Sequence, residues 1–237
     1  MKNSKIQAIS LFSGAGGLDL GCLLNDIEVK VSNDFDDDSI ETLKKNHQFS
    51  GTKIIKADIK NYKPKLLEKY LNGKKTIIIG GPPCQPFSKN GYWIKNKNRK
   101  ITKDPRNCIN DFFRFVKNLN PDGFLIENVE SILHPTNKLA IQYITYATKK
   151  LNYQFKMFKV NALDYGVPQK RKRVFFFGSK KDFQLEEPER THFDPKNPYL
   201  STTYLKPYET VGDHIKEFNV NKYYEKYENT SEGTYFR

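Results

Sequence analysis

Cys84 is the residue whose setting most invites chemistry. It stands in Gly80-Gly81-Pro82-Pro83-Cys84-Gln85-Pro86-Phe87-Ser88, straight after Thr76–Ile79, which reads as a buried strand. Two prolines fix the backbone just before the thiol, and neither core packing nor a helix accounts for a cysteine in so polar a loop. A lone cysteine is commonly a core filler, but a thiol presented rigidly at a strand's mouth reads as a nucleophile. Glu127 follows another apolar run, Gly123–Ile126. A carboxylate there is partly desolvated and suits proton exchange with a heterocycle, although an acid at a helix start would look the same. Gln169-Lys170-Arg171-Lys172-Arg173 enters a late strand-like run. Strand alternation puts Gln169, Arg171 and Arg173 on one face, where Arg171 and Arg173 can bond a phosphate or a base carbonyl. A solvated basic run is the plainer alternative.

A second group of residues reads as a small-molecule site. Phe12-Ser13-Gly14-Ala15-Gly16-Gly17-Leu18 follows the first apolar run, and its glycines allow a tight turn and a close backbone approach before a helix. By itself such a turn fits a nucleotide-type ligand or a merely tight connection. Asp34 and Phe35 follow the second run, about 20 residues on, where a carboxylate can accept both ribose hydroxyl protons and an aromatic face can meet adenine. Asp36 is the better helix cap, since Asp37 and Asp38 then fill the first turn. Asp58-Ile59 adds another acid after the third run. Three strand ends carrying acid or glycine suggest adenosine without a phosphate, and S-adenosylmethionine fits that pattern better than NAD or ATP.

The elements that must position these residues alternate. Ile6–Phe12, Val29–Ser32, Lys53–Lys56, Thr76–Ile79 and Gly123–Ile126 read as buried strands. Ile40/Leu43, the Leu66–Leu71 stretch, Ile109–Leu119 and Ala140–Leu151 repeat at helical spacing between and after them. This order predicts an α/β architecture with a mostly parallel sheet covered on both faces. Tyr153–Val160 and Arg173–Phe177 are then joined by a turn-rich stretch with no room for a helix, which predicts an antiparallel late strand. Beyond about Leu185, prolines punctuate a polar, weakly periodic stretch. The expected division is a catalytic and cofactor-binding domain over 1–183 and a second unit beginning at 184 and running to 237.

The bulk composition agrees. The 237 residues carry 40 basic and 27 acidic side chains, a net +13, which favours a polyanionic partner such as nucleic acid. Three widely spaced cysteines and four histidines without ligand spacing predict reduced thiols and no metal. Neither a run of about 18 apolar residues nor a signal-peptide core occurs, so the expectation is a cytoplasmic protein with no membrane partner.

With its segments in this order, the sequence resembles the DNA (cytosine-5) methyltransferases over roughly residues 6–178: F-x-G-x-G-G at Phe12–Gly17, P-C-Q at Pro83–Gln85, E-N-V at Glu127–Val129 and Q-x-R-x-R at Gln169–Arg173. Asp104–Ile109 is similar to the family's segment before its next helix. The resemblance implies a Rossmann-like methyltransferase fold with an antiparallel late strand. It implies that Cys84 adds to cytosine C6 while Glu127 holds N3, with Arg173 near the base and Arg171 supporting the loop or a phosphate. S-adenosylmethionine would be held by Phe12, Gly14, Ala15, Gly16, Gly17, Leu18, Asp34, Phe35, Asp58, Ile59, Pro83 and Ile109. Gln85, Ser88, Lys89, Arg106 and Gln169 would meet double-stranded DNA, with the target base flipped out of the duplex.

Thr210–Ile215 looks like the entry to the family's target-recognition region, and no G-N segment follows it. The resemblance therefore implies either a truncated product or a restriction-modification methyltransferase whose second polypeptide supplies that region and the last part of the cofactor pocket. A tRNA methyltransferase of the same fold shares most of these motifs. An inactive remnant that only binds cofactor or nucleic acid is the third reading.

Overall fold

The computed structural model describes residues 5–83, 108–180, 186–197 and 204–215. Chain order begins β1 (Ile6–Leu11), α1 (Gly17–Leu24), β2 (Ile27–Asp34), α2 (Asp37–Lys45), β3 (Lys53–Lys56), β4 (Lys75–Gly80) and α3 (Ile109–Leu119). It continues with β5 (Gly123–Val129), α4 (Lys138–Lys150), β6 (Gln154–Asn161), β7 (Lys172–Ser179), β8 (His192–Phe193), β9 (Lys206–Pro207) and α5 (Val211–Ile215). The Leu66–Leu71 stretch forms a 3-10 helix at Pro64–Tyr70 rather than an α-helix.

Seven strands form one sheet in the order β3-β2-β1-β4-β5-β7-β6. β1 pairs in parallel with β2 and β4, and β4 with β5. The chain thus leaves β1 towards one edge and returns to β4 on its other side. That makes a switch point, where the strand-end turns diverge and leave a crevice. Leu11 stands opposite Gly80 in the ladder, so the glycine turn after β1 and the Gly81–Pro83 segment after β4 begin side by side. β5 runs antiparallel to β7, from Gly123↔Ser179 to Val129↔Arg173, as the sequence predicts.

Two boundaries differ from the sequence reading in ways that matter. Pairing with β7 carries β5 through Glu127 and Asn128 to Val129, so Glu127 lies within a paired strand and is no helix-start acid. β7 begins at Lys172, so strand alternation applies to Arg173 but not to Gln169 or Arg171, which precede the strand.

The core explains why the strand ends are rigid. β1 is buried from Gln7 through Leu11. α3 buries Ile109, Phe112, Phe113, Phe115 and Val116, and Phe112, Phe113 and Phe124 of β5 meet edge-to-face at 5.3–6.1 Å. Each fully buried phenylalanine contributes about 1.5–3 kcal/mol from apolar burial. α3 stops where Asn120 turns left-handed, with φ 48°. Polar residues bind the sheet too: Gln7 Nε2 donates to Thr76 Oγ1 at 3.0 Å, and Asn33 Nδ2 donates to the carbonyls of Ile55 and Ala57, each at 3.0 Å.

The chain divides into two compact units, Met1–Val160 with Lys172–Glu187, and Asn161–Arg171 with Pro188–Arg237. In the second, Asp164 is the hub. Its carboxylate accepts from Tyr208 Oη and lies 3.6 Å from Arg190 Nε, and its carbonyl accepts from Thr191 N at 2.9 Å. Among the described residues no helix is long and apolar enough to cross a membrane.

Candidate active site

The glycine turn is built by its own backbone. Phe12 and Gly14 take positive φ, 56° and 53°, and Gly16 N donates to Ser13 O at 2.9 Å. Gly16, with φ 88°, caps the start of α1, and a Cβ there would lie 2.6 Å from the Phe49 ring. Only glycine fits. Ala15 and Gly17 are exposed, while Phe12 packs on the core.

Asp34 ends β2 and braces this turn. Its Oδ2 accepts from Gly14 N at 2.8 Å, and Oδ1 accepts from the backbone N–H groups of Phe35 and Asp36 at 2.8 and 3.1 Å. An ionised carboxylate has about four acceptor positions, so one remains, on Oδ2. The sequence reading assigned both ribose hydroxyls to Asp34; this geometry leaves room for one. Asp36 is the helix cap, accepting from Ser39 N at 2.8 Å, which frees Asp34 from that duty. Phe35 is 65% exposed beside the turn, a free aromatic face. Asp58 is exposed and caps its own turn, accepting from Lys60 N at 2.9 Å. Ile59 and Ile109 are 3% and 1% exposed, so they support the floor of the region more than they open onto it. Turn, acid and aromatic together fit an adenosine-bearing ligand with no phosphate.

The Gly81–Pro83 segment meets β5. Gly80 lies so close to β1 that a Cβ would stand 2.4 Å from Leu11 O. Asn128, 1% exposed, donates from Nδ2 to Pro82 O at 3.3 Å, and a Cβ on Gly81 would lie 3.3 Å from Glu127 Oε2. The Glu127 carboxylate therefore faces the backbone that leads into Cys84. Its other oxygen, Oε1, is 2.6 Å from Arg173 Nε, an ion pair whose N–H is not aligned on the oxygen. Arg173 Nη1 donates to Lys172 O at 2.8 Å. Both side chains stay about one-fifth to one-quarter exposed, so the pair is reachable by a ligand.

Cys84 itself, with Gln85, Ser88, Lys89 and Arg106, lies outside the described residues; Pro83 is the last described residue before it. Gln169 and Arg171 are exposed and belong to the second unit, where Arg171 N donates to Asn161 Oδ1 at 3.2 Å. Among the described residues no group of three or more His, Cys, Asp or Glu is placed to hold a metal ion.

Two residues escaped the sequence reading. Arg114 of α3 donates to the carbonyls of Tyr62, Ile59 and Lys60, clamping the turn that carries Asp58. It lies on the polar face of α3 with Asp111 and Asn118, so nothing in the sequence sets it apart from a solvated arginine. Asp19 of α1 is wholly buried against serines; a charged residue three positions into an apolar helix after a glycine turn was the available clue.

Comparison with known proteins bears on the same segments. The family model described as C-5 cytosine-specific DNA methylase matches residues 6–236. Type II methyltransferase M.SacI of Streptomyces achromogenes is 34% identical over 206 residues, covering 80% of this chain and 52% of that protein. M.FnuDI of Fusobacterium nucleatum is 38% identical over 181 residues, covering 76% and 48%. The chain thus spans about half the length of these two relatives. M.AquIA of Picosynechococcus sp. is 34% identical over 228 residues and is covered to 87% of its own length, against 88% of this chain. Among solved structures, an Escherichia coli prophage protein described as a DNA modification methyltransferase superposes with a TM-score of 0.66 at 28% identity, over 89% of this chain and 54% of that one. The Entamoeba histolytica methyltransferase EhMeth gives 0.63 at 22% identity, over 80% and 57%, a likeness of fold.

Proposed function

Because the chain belongs to the C-5 cytosine-specific DNA methylase family, we propose that it transfers the methyl group of S-adenosylmethionine to C5 of a flipped-out cytosine in DNA. The observation that carries this is the convergence at the switch point: Glu127 faces Gly81 and pairs with Arg173, while Asn128 holds Pro82 O. A carboxylate paired with a guanidinium therefore faces Gly81, three residues before Cys84. The curated relatives of type II methyltransferase name support a restriction-modification setting.

Phe12–Leu18, Asp34, Phe35 and Asp58 would hold the cofactor, with Phe35 under the adenine ring and Asp34 on one ribose hydroxyl. Bound S-adenosylmethionine supplies the methyl group. Aromatic C5 is a poor nucleophile, so Cys84 thiolate adds to C6 and forms an Sγ–C6 bond. Glu127 holds N3 as the ring accepts the electron pair, and Arg173 steadies both the base and Glu127. C5 would then take the methyl group as the sulfonium S–CH3 bond breaks and S-adenosylhomocysteine leaves. Loss of the C5 proton to solvent water would expel the Cys84 thiolate and restore the aromatic ring. The target base must leave the duplex for this, and Gln85, Ser88, Lys89, Arg106 and Gln169 are the DNA-contacting residues of the proposal, with Arg171 supporting the loop or a phosphate.

The test is transfer of labelled methyl to duplex DNA and to tRNA, with and without a second polypeptide carrying a target-recognition region. Label on cytosine C5 of DNA, lost in Cys84→Ser, is the expected result. Label on tRNA alone would move the substrate to RNA, and activity surviving Cys84→Ser would remove the covalent mechanism.

A further inference from the structure

Asp19 takes no part in the chemistry above, yet it is fully buried in the first turn of α1. Ser32 Oγ donates to its Oδ1, and Ser10 Oγ donates to its Oδ2 at 2.7 Å. Ser10 Oγ in turn accepts from Ser13 Oγ at 2.9 Å. Ser10 and Ser32 lie just before the ends of β1 and β2, and Ser13 belongs to the glycine turn. All three hydroxyl protons are thus directed towards the carboxylate, two along the Ser13–Ser10 relay and one directly from Ser32, the arrangement that suits an ionised acid. Burial, the largest influence, pushes the Asp19 pKa up, and the serine hydroxyls oppose it; no cation contributes. An unpaired buried carboxylate costs stability that apolar packing of the same volume would not.

We propose that Asp19 is the counter-charge for the cationic methionine end of S-adenosylmethionine, acting through the Ser10–Ser13 relay as a positioning residue of the cofactor turn. This rests on the reading that the glycine turn holds that cofactor. The methionine end carries a sulfonium, an ammonium and one carboxylate, a net single positive charge. Ser13 Oγ has given its proton to Ser10, so its lone pairs are left to accept from an ammonium, with the Asp19 charge behind them. Low-dielectric surroundings screen that charge little.

Calorimetric titration of the full chain with three ligands tests this. The side chain of S-adenosylmethionine is net positive, that of S-adenosylhomocysteine is a neutral ammonium–carboxylate pair, and 5′-methylthioadenosine has no charged group, while all three share the adenosine and its sulfur. Asp19→Asn should weaken S-adenosylmethionine about tenfold, S-adenosylhomocysteine less, and leave methylthioadenosine unchanged. Ser13→Ala keeps the buried carboxylate and should show the same order in smaller steps, which covers a failure of Asp19→Asn to fold. Equal weakening of all three ligands is what a merely structural role would produce, and it overturns the proposal. So does unaltered S-adenosylmethionine binding in both variants. If the unsubstituted protein binds none of the three, the cofactor reading fails before any variant is made, and this proposal fails with it.

Discussion

Arg173 Nε stands 2.6 Å from Glu127 Oε1 across the antiparallel β5–β7 ladder, although the two are not directly opposite: Glu127 faces Phe175, and Arg173 faces Val129. Residues two apart on a strand share a face, so this diagonal puts both side chains on one face of the sheet, as the proposed function requires. Substituting either partner should therefore affect the other. Glu127→Gln should lower kcat by about 10²- to 10⁴-fold, the usual range for a positioned acid-base group. Arg173→Ala should lower kcat as well, and the double variant should lose far less than the product of the two. Single-turnover methyl transfer measures all three; independent, multiplicative losses would show that the pair does not act as a unit.

The thiols should separate by reactivity. Burial, with the Asp19 charge adding to it, pushes Cys22 up to about 11, and burial raises Cys108 too. Both stay protonated near neutral pH, and the thiolate is the reactive form. A maleimide or haloacetamide at pH 7.5 should modify the folded protein at Cys84, and Cys84→Ser should abolish that fast labelling. Peptide mapping reads the site. For Cys22 the folded pKa lies above the unfolded value. Its contribution to stability is complete below the unfolded thiol pKa and fades as pH rises towards 11, so melting should shift downward in that alkaline window.

Asp34→Ala removes acceptors for three backbone N–H groups, those of Gly14, Phe35 and Asp36. Hydrogen bonds to a charged group are worth about 1.5–3 kcal/mol each. The turn should loosen, and S-adenosylhomocysteine affinity should fall by at least about tenfold, with Asp34→Asn intermediate. Titration calorimetry checks it; unchanged affinity would separate Asp34 from the cofactor turn.

Gly80→Ala should destabilise the fold, because its Cβ would meet Leu11 O, a backbone atom, at 2.4 Å. The strands must part to admit it. Overpacking of this kind costs about 1–3 kcal/mol, visible as a lower Tm. Gly17→Ala, where a Cβ meets nothing within 4 Å, is the control and should leave Tm nearly unchanged.

The glycine turn and the parallel-then-antiparallel strand order were legible in the sequence. Each is a local matter of residue type and spacing: prolines and glycines set backbone angles, and apolar runs set elements. The register of β5 against β7 was not legible, because an apolar run ending at Ile126 gives no sign that pairing continues through Glu127 to Val129. Nor could spacing show that Gln169 and Arg171 precede β7 while Arg173 lies in it. Asp34 illustrates the division. Its chain position marks it as a ligand-side acid, but only the packed turns reveal that Gly14, Phe35 and Asp36 already use most of its acceptor capacity. Asp19 goes further still, since its meaning depends on three serines brought together from two strands and a turn. Sequence by itself determined which groups this protein has for chemistry. Tertiary structure decided which of them meet, because register, burial and shared hydrogen bonds are properties of contacts between segments distant in the chain.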